Sequence, residues 1–248
     1  MSRPDRPLIV IPARMTSTRL PGKPLADIGG EPMVVHVWRR AVEAGVGPVL
    51  VACAEAEIAA AVEAVGGDAV LTDPDHATGS DRVFEAVQKV DPAGDHDAVI
   101  NLQGDLPTID PAYLKSVLAP LETPDVDVAT LMAEITEDYE RTAPNVVKAV
   151  VSLPPGGRTG RALYFTRVLA PSGDGPHFHH FGIYAYRRAA LARFIALPPG
   201  HLERREKLEQ LRALEAGMRI DVALVDSVPF GVDTPADLER ARRILAGR

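Results

Sequence analysis

The sequence predicts an α/β fold: a mainly parallel sheet flanked by helices, carrying an inserted subregion in its second half. Three observations predict it. Strand-like and helix-like segments alternate regularly through the first half, the order that builds a parallel sheet with helices on its faces. The strand-like segments are uninterrupted apolar runs, as expected for strands buried on both faces. The 248 residues, 46% hydrophobic and 25% charged, suffice for a substantial core.

The elements follow in order. Residues 8–12 (LIVIP) read as the first strand. Residues 32–44 read as a helix, with Pro32 in its first turn and Gly45 as its stop. A strand over 48–52, an alanine-rich helix over 55–65 ending at Gly66-Gly67, and a short strand over 69–71 come next. Residues 80–90 read as a helix with Ser80 as N-cap, 98–103 (AVINLQ) as a strand, and 111–121 as a helix. The rhythm then changes. Strands are expected over 127–135, 146–151 and 181–186, with proline- and glycine-rich loops at 153–160 and 170–176. Residues 203–216 (ERREKLEQLRALEA) have the period of one continuous helix closed by Gly217. A last strand covers 220–225. Thr234, Pro235 and Asp237 then supply the cap, first position and first-turn acid of a final helix. Neither an internal repeat nor a linker interrupts residues 1–248, so one domain is expected.

Composition narrows the function classes. A net charge of −7 argues against a nucleic-acid binder. No apolar run reaches membrane-spanning length, and the N-terminal residues lack the pattern of a cleaved leader. The lone Cys53 excludes an internal disulfide and reads as a buried structural thiol, in keeping with a reducing compartment. A cytoplasmic protein is expected.

The most informative segment follows the first strand. Arg14, Arg19 and Lys23 fall within ten residues, with Gly22 directly before the lysine and no acid between Asp5 and Asp27. Open α/β sheets bind ligands at the carboxyl ends of their strands. Three cations there, beside a glycine that admits close backbone approach, suit a triphosphate. A phosphate loop of the G-x-x-x-x-G-K-[ST] type is excluded by Ser17 and Pro24.

Asp105 lies just past the carboxyl end of the 98–103 strand, on the same rim. Magnesium favours one or two carboxylates completed by phosphates and water. A turn aspartate is the equal alternative at this position. Asp233 precedes the final helix, where Thr234 already fills the cap. Two carboxylates and a basic loop would form a metal–triphosphate site for nucleotidyl transfer.

The segments IPARMTSTRLPGKPL (11–25), NLQGDLPTI (101–109), HHFGIYAYRR (179–188), KLEQLR (207–212) and GVDTPADLERAR (231–242), in this order and spacing, resemble the bacterial cytidylyltransferases that activate Kdo (3-deoxy-D-manno-octulosonate), the CMP-Kdo synthetases. The resemblance covers nearly the whole chain. It implies a Rossmann-like nucleotide-diphospho-sugar transferase fold whose inserted subregion serves sugar binding and dimerisation. It further implies a magnesium-dependent reaction of CTP with Kdo, giving CMP-Kdo and pyrophosphate for lipopolysaccharide synthesis, in a homodimer. By matching positions, Arg14, Arg19 and Lys23 would hold the triphosphate and Asp105 and Asp233 the metal, with Arg14, Lys23, Asp105 and Asp233 forming the catalytic set. Backbone groups near Gly79, Ser80 and Asp81, with the Arg82 side chain, would recognise cytosine. Gln103, Arg167, His180, Tyr184, Glu209 and Gln210 would contact Kdo. Arginine and histidine suit the sugar's carboxylate, and the mixed donors and acceptors suit its hydroxyls.

The chain departs from the family pattern at Leu106, where many members have glutamate, and at Ala54, where aspartate is common. The segment following Arg167 is also shorter than in many members. Competing expectations are a cytidylyltransferase for a related keto-sugar acid (amino-Kdo or sialic-acid-like) and a non-catalytic nucleotide-binding module on the same fold.

Overall fold

The computed structural model describes residues 4–247. The chain divides into two compact units. Of the described residues, one comprises 6–114 and 229–247, and the other 4–5 and 115–228.

The first unit is built on strands β1 (Pro7–Ala13), β4 (Val49–Cys53), β5 (Asp68–Leu71) and β6 (Ala98–Asn101). A small hairpin, β2 (Asp27–Ile28) and β3 (Glu31–Pro32), precedes the first helix. The four long strands are parallel, in the order β5-β4-β1-β6. Residues 8–11 of β1 and all of β6 are buried, as their apolar runs require. The helices α1 (Met33–Ala44), α2 (Ala56–Glu63) and α3 (Gly79–Val90) supply the crossovers. On α1, Met33, Val34, Val37, Ala41 and Ala44 form the buried stripe; each fully buried large aliphatic side chain contributes about 1.5–3 kcal/mol. Gly45 ends the helix in the left-handed region at φ 62°, a conformation glycine adopts without steric cost.

Two helix details differ from expectation. The cap of α3 is Thr78, not Ser80: the Thr78 hydroxyl accepts from Asp81 N–H while the Asp81 carboxylate accepts from Thr78 N–H. Ser80 is buried within the first turn. The 111–121 segment is not one helix. It splits into α4 (Ala112–Ser116) and a 3₁₀ turn, Ala119–Glu122, because Pro120 has no N–H to extend the ladder.

The chain order of the strands creates a switch point. From β1 the chain builds outward through β4 and β5, then returns to place β6 on the opposite side of β1. The crevice beyond the carboxyl ends of two such strands is the usual ligand site of an open parallel sheet.

The second unit holds β7 (Val128–Glu134), α5 (Asp138–Thr142), β8 (Val147–Ser152), β9 (Thr159–Thr166), β10 (Phe178–Arg187), α6 (Arg188–Ala196), α7 (His201–Glu206), α8 (Leu211–Glu215) and β11 (Ile220–Val225). Its strand order is β10-β7-β11-β9-β8, and β8 also meets β10, so the sheet curls into a closed ring. Only β7 and β11 are parallel; the mainly parallel expectation describes the first unit, and this unit is mixed. The β9 strand begins inside the expected 153–160 loop. A Cβ on Gly160 would overlap the Ser152 carbonyl oxygen, so a residue that reads as loop is required for close strand approach.

Residues 203–216 do not form the expected continuous helix. Lys207 takes a left-handed conformation, φ 59°, and separates α7 from α8. The Arg212 guanidinium grips Glu203 at 2.8 and 2.6 Å. In a straight helix nine residues span about 13 Å, so this pair needs the chain to fold back. Glu209 and Gln210 therefore lie in the connection, not on a helix face.

The chain ends in α9 (Pro235–Ala246) of the first unit, capped by Thr234 and Asp237 as its sequence predicts. Leu238 and Ala241 of α9 pack with Ile28, Met33 and Val232 in a separate apolar cluster. Among the described residues, no helix is long and apolar enough to cross a membrane.

Candidate active site

The cluster around Val232 builds the first part of the site. Val232 is fully buried, and its N–H donates to the Asp105 carbonyl at 2.9 Å. The next residue is Asp233, so this bond brings the two aspartates together. Asp233 N–H is in turn held by the Asp237 carboxylate of the α9 capping box. Gly104 permits the approach of Asp105 to the sheet: a Cβ there would sit 3.0 Å from the Pro12 carbonyl oxygen.

Gly22 places the lysine. It adopts φ 71° before the 3₁₀ turn Lys23–Leu25, and its N–H returns to the Met15 carbonyl, closing the 15–22 loop. The Lys23 ammonium then bridges both carboxylates, 2.8 Å from Asp105 Oδ2 and 3.1 Å from Asp233 Oδ1. Arg19 reaches the other oxygen of Asp233 at 3.0 Å. Burial disfavours the lysine charge, but Asp105 and then Asp233 outweigh it and hold the pKa above its ordinary value. Lys23 is a permanent cation here.

A cavity of about 410 Å³ opens beside this cluster. Arg14, Arg19, Lys23, Thr78, Gly79, Arg82, Gln103 and Asp105 are among the residues lining it. Arg82 is buried and donates to Thr72 Oγ1 and the Pro74 carbonyl. Burial, and then repulsion from Arg14, lower its pKa. A buried guanidinium facing a second cation across a cavity favours an anionic or carbonyl-rich ligand. Ser80 and Asp81 do not line the cavity, and Asp81 is committed to Thr78 through both its N–H and its carboxylate.

Two carboxylates converging on one ammonium are a donor set that a hard divalent cation would accept. Among the described residues no group of three or more His, Cys, Asp or Glu side chains could hold a metal. The pair therefore suits an ion whose coordination is completed by substrate phosphates and water, as magnesium's usually is.

Two acids that carry no motif, Glu55 and Glu85, hold segments next to residues that line the cavity. Glu55, at the N-cap of α2, accepts Met15 N–H on both oxygens at 3.0–3.1 Å and fixes the start of the basic loop. Glu85, on α3, accepts Asp73 N–H and meets His76 Nε2. Neither has a sequence signal: Glu55 acts on a loop 40 residues away, and Glu85 acts on the connection entering its own helix, 9 and 12 residues away.

The second unit gathers most of the candidate sugar contacts. His180 is buried between neighbouring strands, with Nε2 3.0 Å from Thr130 Oγ1. The Thr130 hydroxyl donates to the Ile183 carbonyl, so it accepts from His180 Nε2–H. Burial, then repulsion from His179, push the His180 pKa down to about 3, and the ring is neutral. Its ring meets Phe165 edge-on and Tyr184 at a tilt, at centroid distances of 4.7 and 5.7 Å, so His180 and Tyr184 lie on one face of the strand as their spacing predicts. Burial, then Tyr186 and Glu209, raise the Tyr184 phenol well above its ordinary pKa. Gln210 is buried, and its Nε2 has no protein partner. Glu209 lies 4.0 Å from Arg212. Arg167 donates from all three guanidinium nitrogens to main-chain carbonyls, those of Glu206, Pro144 and Lys207. Gln103 alone of this set lies in the first unit, bonded to Asn101.

A parallel-sheet switch point with a cation-lined cavity and paired carboxylates defines a nucleotidyltransferase-type site. Residues 8–220 match the cytidylyltransferase family, and the chain belongs to that family. A protein of Paramagnetospirillum magneticum named 3-deoxy-manno-octulosonate cytidylyltransferase is 70% identical over 96% of this chain and 97% of its own. A protein of the same name from Rhodospirillum centenum is 69% identical over 99% and 95%. A solved structure of CMP:2-keto-3-deoxy-manno-octonic acid synthetase complexed with CTP superimposes with a TM-score of 0.90 at 42% identity, covering 98% of this chain and 99% of that one. A nucleotidyl transferase from Methanothermobacter, at 16% identity and a TM-score of 0.62, shares the fold.

Proposed function

We propose that this protein transfers CMP from CTP to the anomeric hydroxyl of Kdo, releasing pyrophosphate and supplying CMP-Kdo for lipopolysaccharide synthesis. The observation that carries the reading is the Lys23 bridge between Asp105 and Asp233 beside a cavity lined by Arg14, Arg19 and Arg82, in a chain so similar to enzymes of that name.

Arg14, Arg19 and Lys23 bind the triphosphate and offset its charge as pyrophosphate leaves. The main chain at Gly79 and the Arg82 side chain face the base. Asp105 and Asp233 would hold magnesium, whose charge would help to neutralise the phosphates and lower the cost of ionising the sugar hydroxyl. The Kdo contacts are Gln103, Arg167, His180, Tyr184, Glu209 and Gln210. His180 and Tyr184 serve as neutral hydrogen-bonding groups, and the free Gln210 amide donor suits a hydroxyl. Arg167, engaged with three carbonyls, acts chiefly by fixing the 206–207 turn before Glu209. The two units serve this single activity.

The active form is a homodimer in the cytoplasm, where CTP is made. Tyr139, Leu163, Val168 and Leu169 of the second unit leave large apolar side chains 45–69% exposed, a pattern that marks interaction surfaces. Light scattering checks the dimer.

The deciding assay is pyrophosphate release from CTP with magnesium, with and without Kdo, beside ATP, UTP and GTP. Release needing both CTP and Kdo is expected. Asp105→Asn and Asp233→Asn should each lower turnover by about 100-fold or more with the fold intact. CTP use with another keto-sugar acid but not Kdo would refute the sugar assignment. CTP binding without turnover would leave the non-catalytic module.

A further inference from the structure

The connection over residues 72–78 underlies both guanidinium groups that lack a carboxylate partner in the cavity. Arg14 Nη1 donates to the His76 carbonyl at 3.5 Å. Arg82 donates to Thr72 Oγ1 and the Pro74 carbonyl. Thr78, at the end of the same connection, lines the cavity with Gly79. Whatever fixes this connection fixes where the two cations point.

Its first anchor is local to β4: Thr72 N–H and hydroxyl both donate to the Cys53 carbonyl. Its last anchor is the Thr78–Asp81 capping box. Between them α3 supplies two side-chain anchors, Arg82 on the Pro74 carbonyl and the carboxylate of Glu85. One Glu85 oxygen accepts Asp73 N–H at 2.9 Å and meets His76 Nε2, and the other faces Lys89 at 2.6 Å. Burial opposes the Glu85 charge, but Lys89, the Asp73 N–H and His76 outweigh it and hold the carboxyl at about 2. It is ionised at any working pH, and hydrogen bonds to an ionised acceptor are the stronger kind.

We propose that Glu85 is a positioning residue for nucleotide recognition: by clamping Asp73 and His76 it sets the 72–78 connection on which Arg14 and Arg82 rest. It touches no reacting atom. Its effect should fall on nucleotide binding, leaving sugar binding and the chemical step largely unchanged. The inference rests on CTP occupying this cavity, as the proposed function holds.

The test is steady-state kinetics with each substrate varied separately, for wild type, Glu85→Ala, Glu85→Gln, Glu85→Asp and Lys89→Met. For Glu85→Ala, KM for CTP should rise about tenfold, with kcat within about threefold and KM for Kdo within about twofold. Glu85→Gln keeps an oxygen for Asp73 N–H and should recover most of the loss. Glu85→Asp withdraws the carboxylate by one methylene and should fall between. Lys89→Met removes the outer partner of Glu85 and a bond to the Leu71 carbonyl, leaves the contacts of Glu85 with Asp73 and His76 in place, and should resemble wild type. Should Glu85→Ala not fold, the Gln and Asp variants carry the same ranking. An unchanged KM for CTP, or equal rises in both KM values, overturns the inference. Wild-type protein that releases no pyrophosphate from CTP overturns instead the functional reading beneath it.

Discussion

Acidification from pH 7 to pH 5 should cost this protein about 4 kcal/mol of stability through two adjacent histidines. His179 and His180 sit on β10 where β7 and β8 flank it on both sides. Burial, followed by the charge of Lys148, lowers His179 to about 4, and burial, followed by His179, lowers His180 to about 3. The ordinary value of 6.5 applies once the chain unfolds. The folded rings resist protonation, so the unfolded state binds the proton first. The stability they contribute is complete above pH 6.5 and is lost as pH falls from 6.5 towards 4 and 3. Each unit of that window is worth about 1.4 kcal/mol per histidine. At pH 5 each ring has lost about 2 kcal/mol, against a typical total of about 5–15 kcal/mol. Glu85, held at about 2 against 4.5, contributes stability that is lost only below pH 4.5, outside this range. The assay is urea unfolding at half-unit steps of pH for wild type, His179→Gln and His180→Gln. The slope decides, because each substitution also shifts the absolute stability. Each variant should be shallower than wild type by one histidine's share. Equal slopes in all three proteins would refute the reasoning.

Two further predictions concern the first unit. Cys53 is fully buried, and burial pushes its thiol up to about 12, so a thiol-alkylating reagent at pH 8 should leave native protein unlabelled and take one equivalent in denaturant; stoichiometric labelling of the native state would contradict this. A Cβ on Gly47 would overlap the Pro7 carbonyl oxygen, so Gly47→Ala should lower unfolding free energy by about 1–3 kcal/mol, read as a lower urea midpoint.

The family and the first unit were legible because they rest on local signals. Uninterrupted apolar runs gave β1, β4 and β6, and Gly45 and Thr234 marked helix ends by chemistry that acts within one turn. Arg14, Arg19 and Lys23 were visible as a cation cluster in an acid-free stretch, and each of Asp105 and Asp233 stood at the edge of a recognisable element. Where the local pattern has two solutions, only contacts made in the folded chain choose between them. Ser80 and Thr78 are both competent caps, and the reciprocal bond to Asp81 chose Thr78. The period of residues 203–216 fits one helix as well as two, and the Glu203–Arg212 pair chose two. By itself, then, the sequence determined the parallel sheet, the cationic loop, the two acids and the family. Tertiary structure alone decided that Lys23 bridges those acids, that Glu55 holds a loop distant in the chain and Glu85 the connection before its own helix, and that the strand ring keeps His180 neutral. These depend on which distant backbone groups meet and on how much water burial removes, and neither quantity is written in any single stretch of residues.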